Sequence, residues 1–207
     1  MALPFYTIGH ARRPINEFVG LLQSSAVTLV ADVRTVPRSR TNPQYDATVL
    51  PQALCAAGIG YEHIPALGGL RGRSRDVPPQ TNAYWQNASF HNYADYAMSG
   101  AFRAGLLHLR ELGRERSCAI MCAETLWWRC HRRIIADYLL AAGETVFHIL
   151  GPRHVDPAQM NAAARVQPSG ALAYPADEPS LQAPVSVTPA SPLASGPALH
   201  HRPGMRR

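Results

Sequence analysis

The sequence predicts an α/β domain with three layers, in which crossover helices cover a mostly parallel sheet of about five strands. Short apolar runs alternate with helical patterns across residues 5–165, and this alternation is typical of parallel strands joined by helices. Most of the apolar runs are continuous, which indicates strands buried on both faces. With 207 residues, of which 46% are apolar, the chain is long enough to bury one core.

The predicted order of elements is β-α-β-α-β-loop-α-β-α-β-α. Pro14 suits the first turn of the first helix. Ser99 suits the N-cap of a later helix, and Gly113 suits its end. A further helix is predicted over residues 127–142, with Gly143 as its stop. The five strand candidates are residues 5–8, 28–33, 60–64, 118–122 and 145–150.

Two segments depart from this alternation. Residues 68–90 are rich in Gly, Pro, Ser and Asn and are too long for a simple connection, which is typical of functional loops. Residues 167–207 contain eight of the eighteen prolines among Ala and Ser and have little to bury. We therefore expect a single domain over residues 1–166 and a disordered tail over residues 167–207.

The basic residues are all arginine, twenty in number, and the net charge is +6, of which +5 remains without the tail. Arginine suits phosphate and carboxylate partners, although a GC-rich coding sequence would produce the same bias. No leader peptide and no apolar run of about eighteen residues is present, so we expect a soluble cytoplasmic protein that does not enter a membrane. The four cysteines are expected to be reduced thiols.

Ionisable and glycine residues follow the predicted strands. Because ligands bind at the carboxyl ends of parallel strands, these residues are expected to converge on one site. They are Gly9 and His10 after the first strand, Asp32 and Arg34 at the second, Leu67, Gly68 and Gly69 after the third, Cys122 and Glu124 at the fourth, and His148 on the fifth.

The densest cluster is MCAETLWWRCHRR, residues 121–133. A thiol near a helix N-terminus and beside arginine favours its thiolate, so Cys130, or else Cys122, is a candidate nucleophile. Glu124 or His131 is then the candidate proton shuttle. Other interpretations stay open: the thiols pack in a core, His131 is a half-buried helix residue, or Arg132 and its neighbours hold a phosphate.

Standard cofactor motifs are missing from the sequence. Cys122 and Cys130 are eight residues apart and no CxxC pair exists, so no metal site is predicted. The turn after the first strand reads GHARRP, which is neither a P-loop nor a GxGxxG cradle. The sequence therefore does not identify a cofactor.

Four segments, TIGHARRPINEF, LVADVRTVPRSRTNPQY, YEHIPALGG and MCAETLWWRCHRRIIADYL, resemble the domain of unknown function family numbered 488 over about residues 5–152. The resemblance implies a compact α/β fold and no settled activity. Ala11 and Arg12 stand where the family usually has small hydroxyl residues. The positions that match the family motifs are Gly9, His10, Asp32, Arg34, Pro37, Ser39, Arg40, Asn42, Pro43, Leu67, Gly68, Gly69, Cys122, Glu124, Cys130, His131 and Arg132.

The preferred hypothesis is an enzyme that acts on a small anionic substrate of phosphate-like or nucleotide-like kind. The predicted catalytic residues are Cys130, Glu124, His131, Asp32 and Cys122, and the predicted substrate-binding residues are His10, Arg34, Arg40, Asn42, Gly68, Gly69 and Arg132. Sulfur transfer and phosphatase chemistry both stay open.

The alternative hypothesis is a nucleic-acid-binding module without catalysis. It would use Arg71, Arg73 and Arg75 together with Tyr84 and Trp85 as a basic and aromatic surface. No helix-turn-helix or zinc-finger pattern supports it. A third hypothesis is an adaptor whose tail binds a partner.

Overall fold

The computed structural model describes residues 3–176, and within this range it shows a six-stranded sheet of order β3-β2-β4-β1-β5-β6. The first five strands are parallel, and β6 pairs with β5 in the antiparallel direction. A small hairpin, β7 with β8, follows the sheet. The strands are β1 (Phe5–Gly9), β2 (Leu29–Asp32), β3 (Gly60–His63), β4 (Cys118–Cys122), β5 (Val146–Gly151), β6 (His154–Pro157), β7 (Arg165–Val166) and β8 (Leu172–Ala173).

Five α-helices cover the two faces of the sheet, which confirms the three-layer α/β prediction. They are α1 (Ile15–Ser24), α2 (Leu50–Cys55), α3 (Ala88–Ala97), α4 (Gly100–Glu115) and α5 (Arg132–Ala141). The longest, α4, has 16 residues, and none of the helices described here is long and apolar enough to cross a membrane.

Each face of the sheet has its own apolar core. On one face, Phe18 of α1 and Leu54 of α2 pack over Val30 of β2. On the other, Phe102 of α4 and Ile134 of α5 pack over Ile120 of β4. Burial of both faces explains the continuous apolar runs of the central strands.

Helix α5 begins later than the predicted start at residue 127. A short 3₁₀ helix, Trp127–Arg129, comes first, and Cys130 then takes an extended conformation with φ −128° and ψ 148°. The break separates the 3₁₀ helix from α5 and leaves Cys130 and His131 immediately before the first turn of α5.

The helix predicted after the fifth strand is wrong. The chain turns at Gly151 and returns as β6, because the Gly-Pro pair at 151–152 suits a turn and Arg153 adopts a positive φ of 57°. The predicted loop 68–90 also contains a short 3₁₀ helix, Pro79–Asn82, and the first residues of α3.

The packed part of the chain extends past the predicted boundary at residue 166. Leu172 and Tyr174 are fully buried, and the Tyr174 hydroxyl donates to the carboxylate of Asp137 on α5 over 3.0 Å. These two large side chains provide apolar surface in a segment otherwise rich in Ala, Pro and Ser. The remainder of the predicted tail, residues 177–207, lies outside the described residues.

Strands β1 and β4 lie side by side, but the connections that follow them cross opposite faces of the sheet. The chain leaves β1 through α1 on one face and leaves β4 through α5 on the other. Such a pair opens a crevice at the carboxyl ends of its strands, which is where ligands bind in open α/β sheets.

Candidate functional site

A cavity of about 690 Å³ lies at the carboxyl ends of β1, β2 and β4. Its walls come from the segments after these three strands, from the residues before α5 and from the start of α3. Eight of the twelve predicted site residues line it: His10, Arg34, Asn42, Gly69, Cys122, Glu124, Cys130 and His131. The structure therefore brings most of the predicted residues together around one cavity.

The other four predicted residues do not line the cavity. Asp32 and Arg132 are buried behind it, Gly68 is buried against Thr35, and Arg40 is exposed on the loop after β2. Asp32 and Arg132 contact lining residues directly, so they belong to the layer that holds the site.

Cys130 and His131 form the centre of the site. Sγ of Cys130 lies 3.6 Å from Nδ1 of His131, and Nε2 of the same ring donates to the carbonyl of Val33 over 3.1 Å. The bond to Val33 places the ring proton on Nε2, which leaves the Nδ1 lone pair facing the thiol. The pair has the arrangement of a cysteine nucleophile and its base.

Gly69 makes room for this imidazole. A Cβ at position 69 would lie 2.5 Å from Nδ1 of His131. The loop after β3 therefore approaches the ring closely enough that only a glycine fits without displacing it.

Arg132 lies beneath the thiol and is 1% exposed. Its Nε donates to Sγ of Cys130 over 3.3 Å, and its terminal NH₂ group donates to the carbonyl of Glu124. Within residues 3–176, no carboxylate forms an ion pair with Arg132. Because a buried cation without a counter-ion is costly, Arg132 favours negative charge on the sulfur of Cys130.

The two thiols of the site differ in acidity. Burial acts to raise the pKa of Cys130, but the hydrogen bond with Cys122 and the nearby Arg132 and His131 together lower that pKa well below its usual value. The same hydrogen bond and burial raise the pKa of Cys122. These directions favour the proton on Cys122 and the negative charge on Cys130.

Asp32 and Arg34 form a buried ion pair at the end of β2. The Arg34 NH₂ group lies 2.5 Å from one oxygen of Asp32, and Nε lies 2.9 Å from the other. Tyr61 also donates to the Asp32 carboxylate over 2.8 Å. The carboxylate is fully engaged, so its role here is to position Arg34, whose side chain lines the cavity.

His10 is held as a neutral ring. Its Nδ1 donates to the carbonyl of Ala11 over 2.9 Å, and Nε2 accepts from Arg34 over 3.4 Å. The ring stacks on Tyr45 with 4.0 Å between centroids. Burial lowers the pKa of His10 to about 4, so the ring carries no charge near neutral pH.

The sequence comparisons identify a family for this chain. The family model described as Domain of unknown function DUF488 matches residues 14–139, which is more than half of the chain. The chain belongs to the DUF488 family. The predicted resemblance is therefore confirmed. No curated protein and no solved structure matches the chain.

Ala11 and Arg12 precede the residues that the DUF488 family model matches, and both line the cavity. Ala11 adopts a left-handed φ of 46°, and its N–H donates to the carbonyl of Ala123 over 3.0 Å. The backbone of the turn is thus tied to the loop after β4. Arg12 adds a cation to the rim.

Several lining residues of this DUF488 site were not predicted. Arg38 lies in the same PRSR segment as predicted residues, and its charge is the signal that would have identified it. Ser89 and Phe90 come from the start of α3, which no local pattern connects to the strand ends.

Three residues of the site have the donor types of a metal centre. The sulfur atoms of Cys122 and Cys130 and a ring nitrogen of His131 lie within 4.8 Å of one another. This set would suit a thiophilic ion such as Zn²⁺. The charge of Arg132 beside Cys130 works against a second cation and in favour of an anion.

Proposed function

We propose that this protein is a thiol enzyme that acts on a small anionic substrate of phosphate-like or nucleotide-like kind, with Cys130 as the nucleophile. The contact between the buried Arg132 and Sγ of Cys130 carries the proposal. A thiolate that neutralises a buried arginine is stable in its reactive form near neutral pH. Because the thiol lines the cavity, the substrate has access to it.

The residues around Cys130 have different roles in the proposed reaction. Arg132 stabilises the thiolate, and the α5 N-terminus that follows Cys130 adds a favourable dipole. Nδ1 of His131 faces the sulfur, accepts the proton of Cys130 and, once protonated, donates to the thiolate. Glu124 is exposed on the cavity wall, where its carboxylate is available for proton transfer to a leaving group or a water molecule.

The charges of the cavity wall support an anionic substrate. Four arginines line the cavity: Arg12, Arg34, Arg38 and Arg129. Among the described residues of the wall, Glu124 is the one carboxylate. Arginine donors suit phosphate and carboxylate groups, and a cavity of about 690 Å³ has the size of a small-molecule site.

The contacts of the predicted nucleic-acid surface make that alternative weaker. Arg71 lies over the ring of Tyr96, 3.7 Å from its centroid, and donates to the carbonyls of Gly68 and Pro65. Trp85 is 6% exposed and so offers little surface for base stacking. These contacts give Arg71 and Trp85 internal partners and favour the small-molecule site.

The proposal is tested by comparing alkylation of the full chain by iodoacetate, which is anionic, with alkylation by iodoacetamide, which is neutral. We expect Cys130 to react at pH 7 and to favour iodoacetate relative to a free thiol in solution. Inorganic phosphate or a nucleoside monophosphate should protect it, and peptide mapping should locate the label.

Cys55 provides the matched control, since it is exposed and lies outside the cavity lining. Cys130→Ser should abolish the fast reaction, and Cys55→Ser should leave it unchanged. If Cys55 reacts and Cys130 does not, Cys130 is a structural residue and the proposal is wrong.

A further inference from the structure

We propose that Cys122 is the resolving thiol for Cys130, so that the site reduces small anionic molecules that contain a sulfur–sulfur bond through an internal Cys122–Cys130 disulfide. This inference rests on the proposed function, because it requires Cys130 as the nucleophile. It narrows the substrate from small anions in general to those with an S–S bond.

The positions of the two thiols support this pairing. Their sulfur atoms lie within 4.8 Å of each other, and both side chains line the same cavity. Cys122 ends β4 and Cys130 precedes α5, so the segment between them belongs to neither a strand nor an α-helix. A modest movement of this segment would bring the sulfurs to the roughly 2 Å of a disulfide bond.

The loop between the thiols is attached to its surroundings through the backbone. The terminal NH₂ group of Arg132 donates to the carbonyls of Glu124 and Thr125, the latter over 3.5 Å. Gly9 lets this loop cross the end of β1, since a Cβ at position 9 would overlap the carbonyl oxygen of Glu124. The same arginine thus contacts the attacking thiol and the loop that has to adjust.

In the proposed cycle, the negative charge moves from the Cys130 thiol to the Cys122 thiol. The hydrogen bond with Cys130 is the main cause of the raised pKa of Cys122. When Cys130 enters a mixed disulfide, its negative charge and this hydrogen bond are lost. Arg132 then favours the thiolate of Cys122, which becomes the second nucleophile.

The proposed steps balance as follows. The Cys130 thiolate attacks one sulfur of R–S–S–R′, forms the mixed disulfide Cys130–S–S–R, and releases R′–S⁻. The proton of Cys122 passes to the released thiolate. Cys122 then attacks Sγ of Cys130, which forms the Cys122–Cys130 disulfide and releases R–S⁻. The protein loses two electrons and the substrate gains them, and a dithiol reductant restores the two thiols.

The remaining two cysteines lack this arrangement. Cys118 is buried at the opposite end of β4, and burial raises the pKa of its thiol to about 12. Cys55 is exposed at the end of α2, outside the cavity. In the full chain, the reactivity of Cys122 and Cys130 can therefore be compared with that of a buried thiol, Cys118, and an exposed thiol, Cys55.

The experiment uses the full-length Cys55→Ser variant and two disulfide reagents, dithiodiglycolate, which is anionic, and bis(2-hydroxyethyl) disulfide, which is neutral. Intact mass after brief reaction should show the loss of two hydrogen atoms without an added group, and peptide mapping should link Cys122 to Cys130. We expect the anionic reagent to react at least about tenfold faster than the neutral one, after correction for their rates with a free thiol.

Adding Cys122→Ser to this background should stop the reaction at a mixed disulfide on Cys130, and adding Cys130→Ser should prevent reaction at both positions. If the parent Cys55→Ser protein also stops at the mixed disulfide, Cys122 does not resolve it and this inference is wrong. Equal corrected rates for the two reagents would show that the site does not prefer anionic disulfides.

The two proposals fail in different ways. If Cys130 reacts with iodoacetate but forms no disulfide with Cys122, the proposed function stands and the resolving role fails. If Cys130 reacts with neither iodoacetate nor either disulfide reagent, the proposed function fails as well. Because the linkage is mapped in the Cys55→Ser chain, which retains both site thiols, this result does not depend on how well the Cys122→Ser and Cys130→Ser variants fold.

Discussion

Nε of Arg132 donates a hydrogen bond to Sγ of Cys130 over 3.3 Å, and both residues are buried, with exposures of 1% and 4%. The two residues are two positions apart in sequence but differ in backbone conformation, since Cys130 is extended and Arg132 begins α5. Their contact links the reactivity of the site to its stability, and each can be measured.

Arg132→Met should raise the pKa of the Cys130 thiol, because the substitution removes the buried positive charge and the Nε donor. Once that pKa exceeds 7, alkylation of Cys130 at pH 7 should slow by about tenfold for each further pKa unit gained. The thiolate absorbance measured across a pH titration gives the pKa directly. Arg133→Met is the matched control, since Arg133 lies over Trp85 instead. Equal slowing in both variants would show that the thiol does not depend on Arg132.

The stability of the protein should depend on pH through Cys130. Its pKa is lower in the folded state than in the unfolded chain, so between these two values the unfolded chain binds more protons. Stability therefore rises with pH in this window, and the contribution is lost as pH falls through the folded pKa.

Urea unfolding of the parent protein and of Cys130→Ser at several pH values below about 8.5, the ordinary thiol pKa, would measure this contribution. The difference in free energy of unfolding should increase with pH, by at most about 1.4 kcal/mol per unit. A difference that stays constant with pH would mean that the thiol is neutral in the folded protein.

Gly69→Ala should displace the imidazole of His131, because the added Cβ would lie 2.5 Å from Nδ1. We expect slower alkylation of Cys130 and a loss of about 1–3 kcal/mol in the free energy of unfolding from overpacking. Gly72→Ala is the control in the same loop, where a Cβ meets no atom within 4 Å. If both variants behave alike, the close approach of Gly69 has no role in the site.

Asp32→Asn should destabilise the protein by about 3–5 kcal/mol, since it leaves the buried Arg34 without its anionic partner. Asp156→Asn, at an exposed pair with His154, should change stability by less than about 1 kcal/mol. Thermal or urea unfolding would measure both. The double variant Asp32→Asn with Arg34→Met should recover part of the loss. A stable Asp32→Asn protein without activity would instead assign Asp32 a direct catalytic role.

Local patterns were enough to predict the five parallel strands and most of the predicted residues that the structure brings together at the cavity. The carboxyl ends of β1, β2 and β4 are marked by polar residues after continuous apolar runs, and parallel pairing brings these ends to one edge. Residues such as His10, Arg34 and Cys122 were therefore placed together without knowledge of their side-chain contacts.

Features set by tertiary contacts were not predictable in this way. The helical pattern continues through residues 127–142, but Cys130 leaves it with an extended backbone, and its sulfur accepts from the side chain of Arg132. The carboxylate of Asp32 is bound by Arg34, two residues further along the chain, and by Tyr61 of β3, and only the second of these contacts is remote in sequence. The helix predicted after β5 failed because β6 pairs with an available sheet edge.

The central position of β1 in the sheet limits how short a folded fragment of this chain can be. The family match spans residues 14–139, whereas β1 ends at Gly9 and lies between β4 and β5. A fragment cut at the limits of the match would lose β1, His10, β5 and β6, and would leave a sheet of β3, β2 and β4 in which β4 is an unpaired edge. A fragment for biochemical work therefore has to keep β1 at one end and the buried Tyr174 at the other.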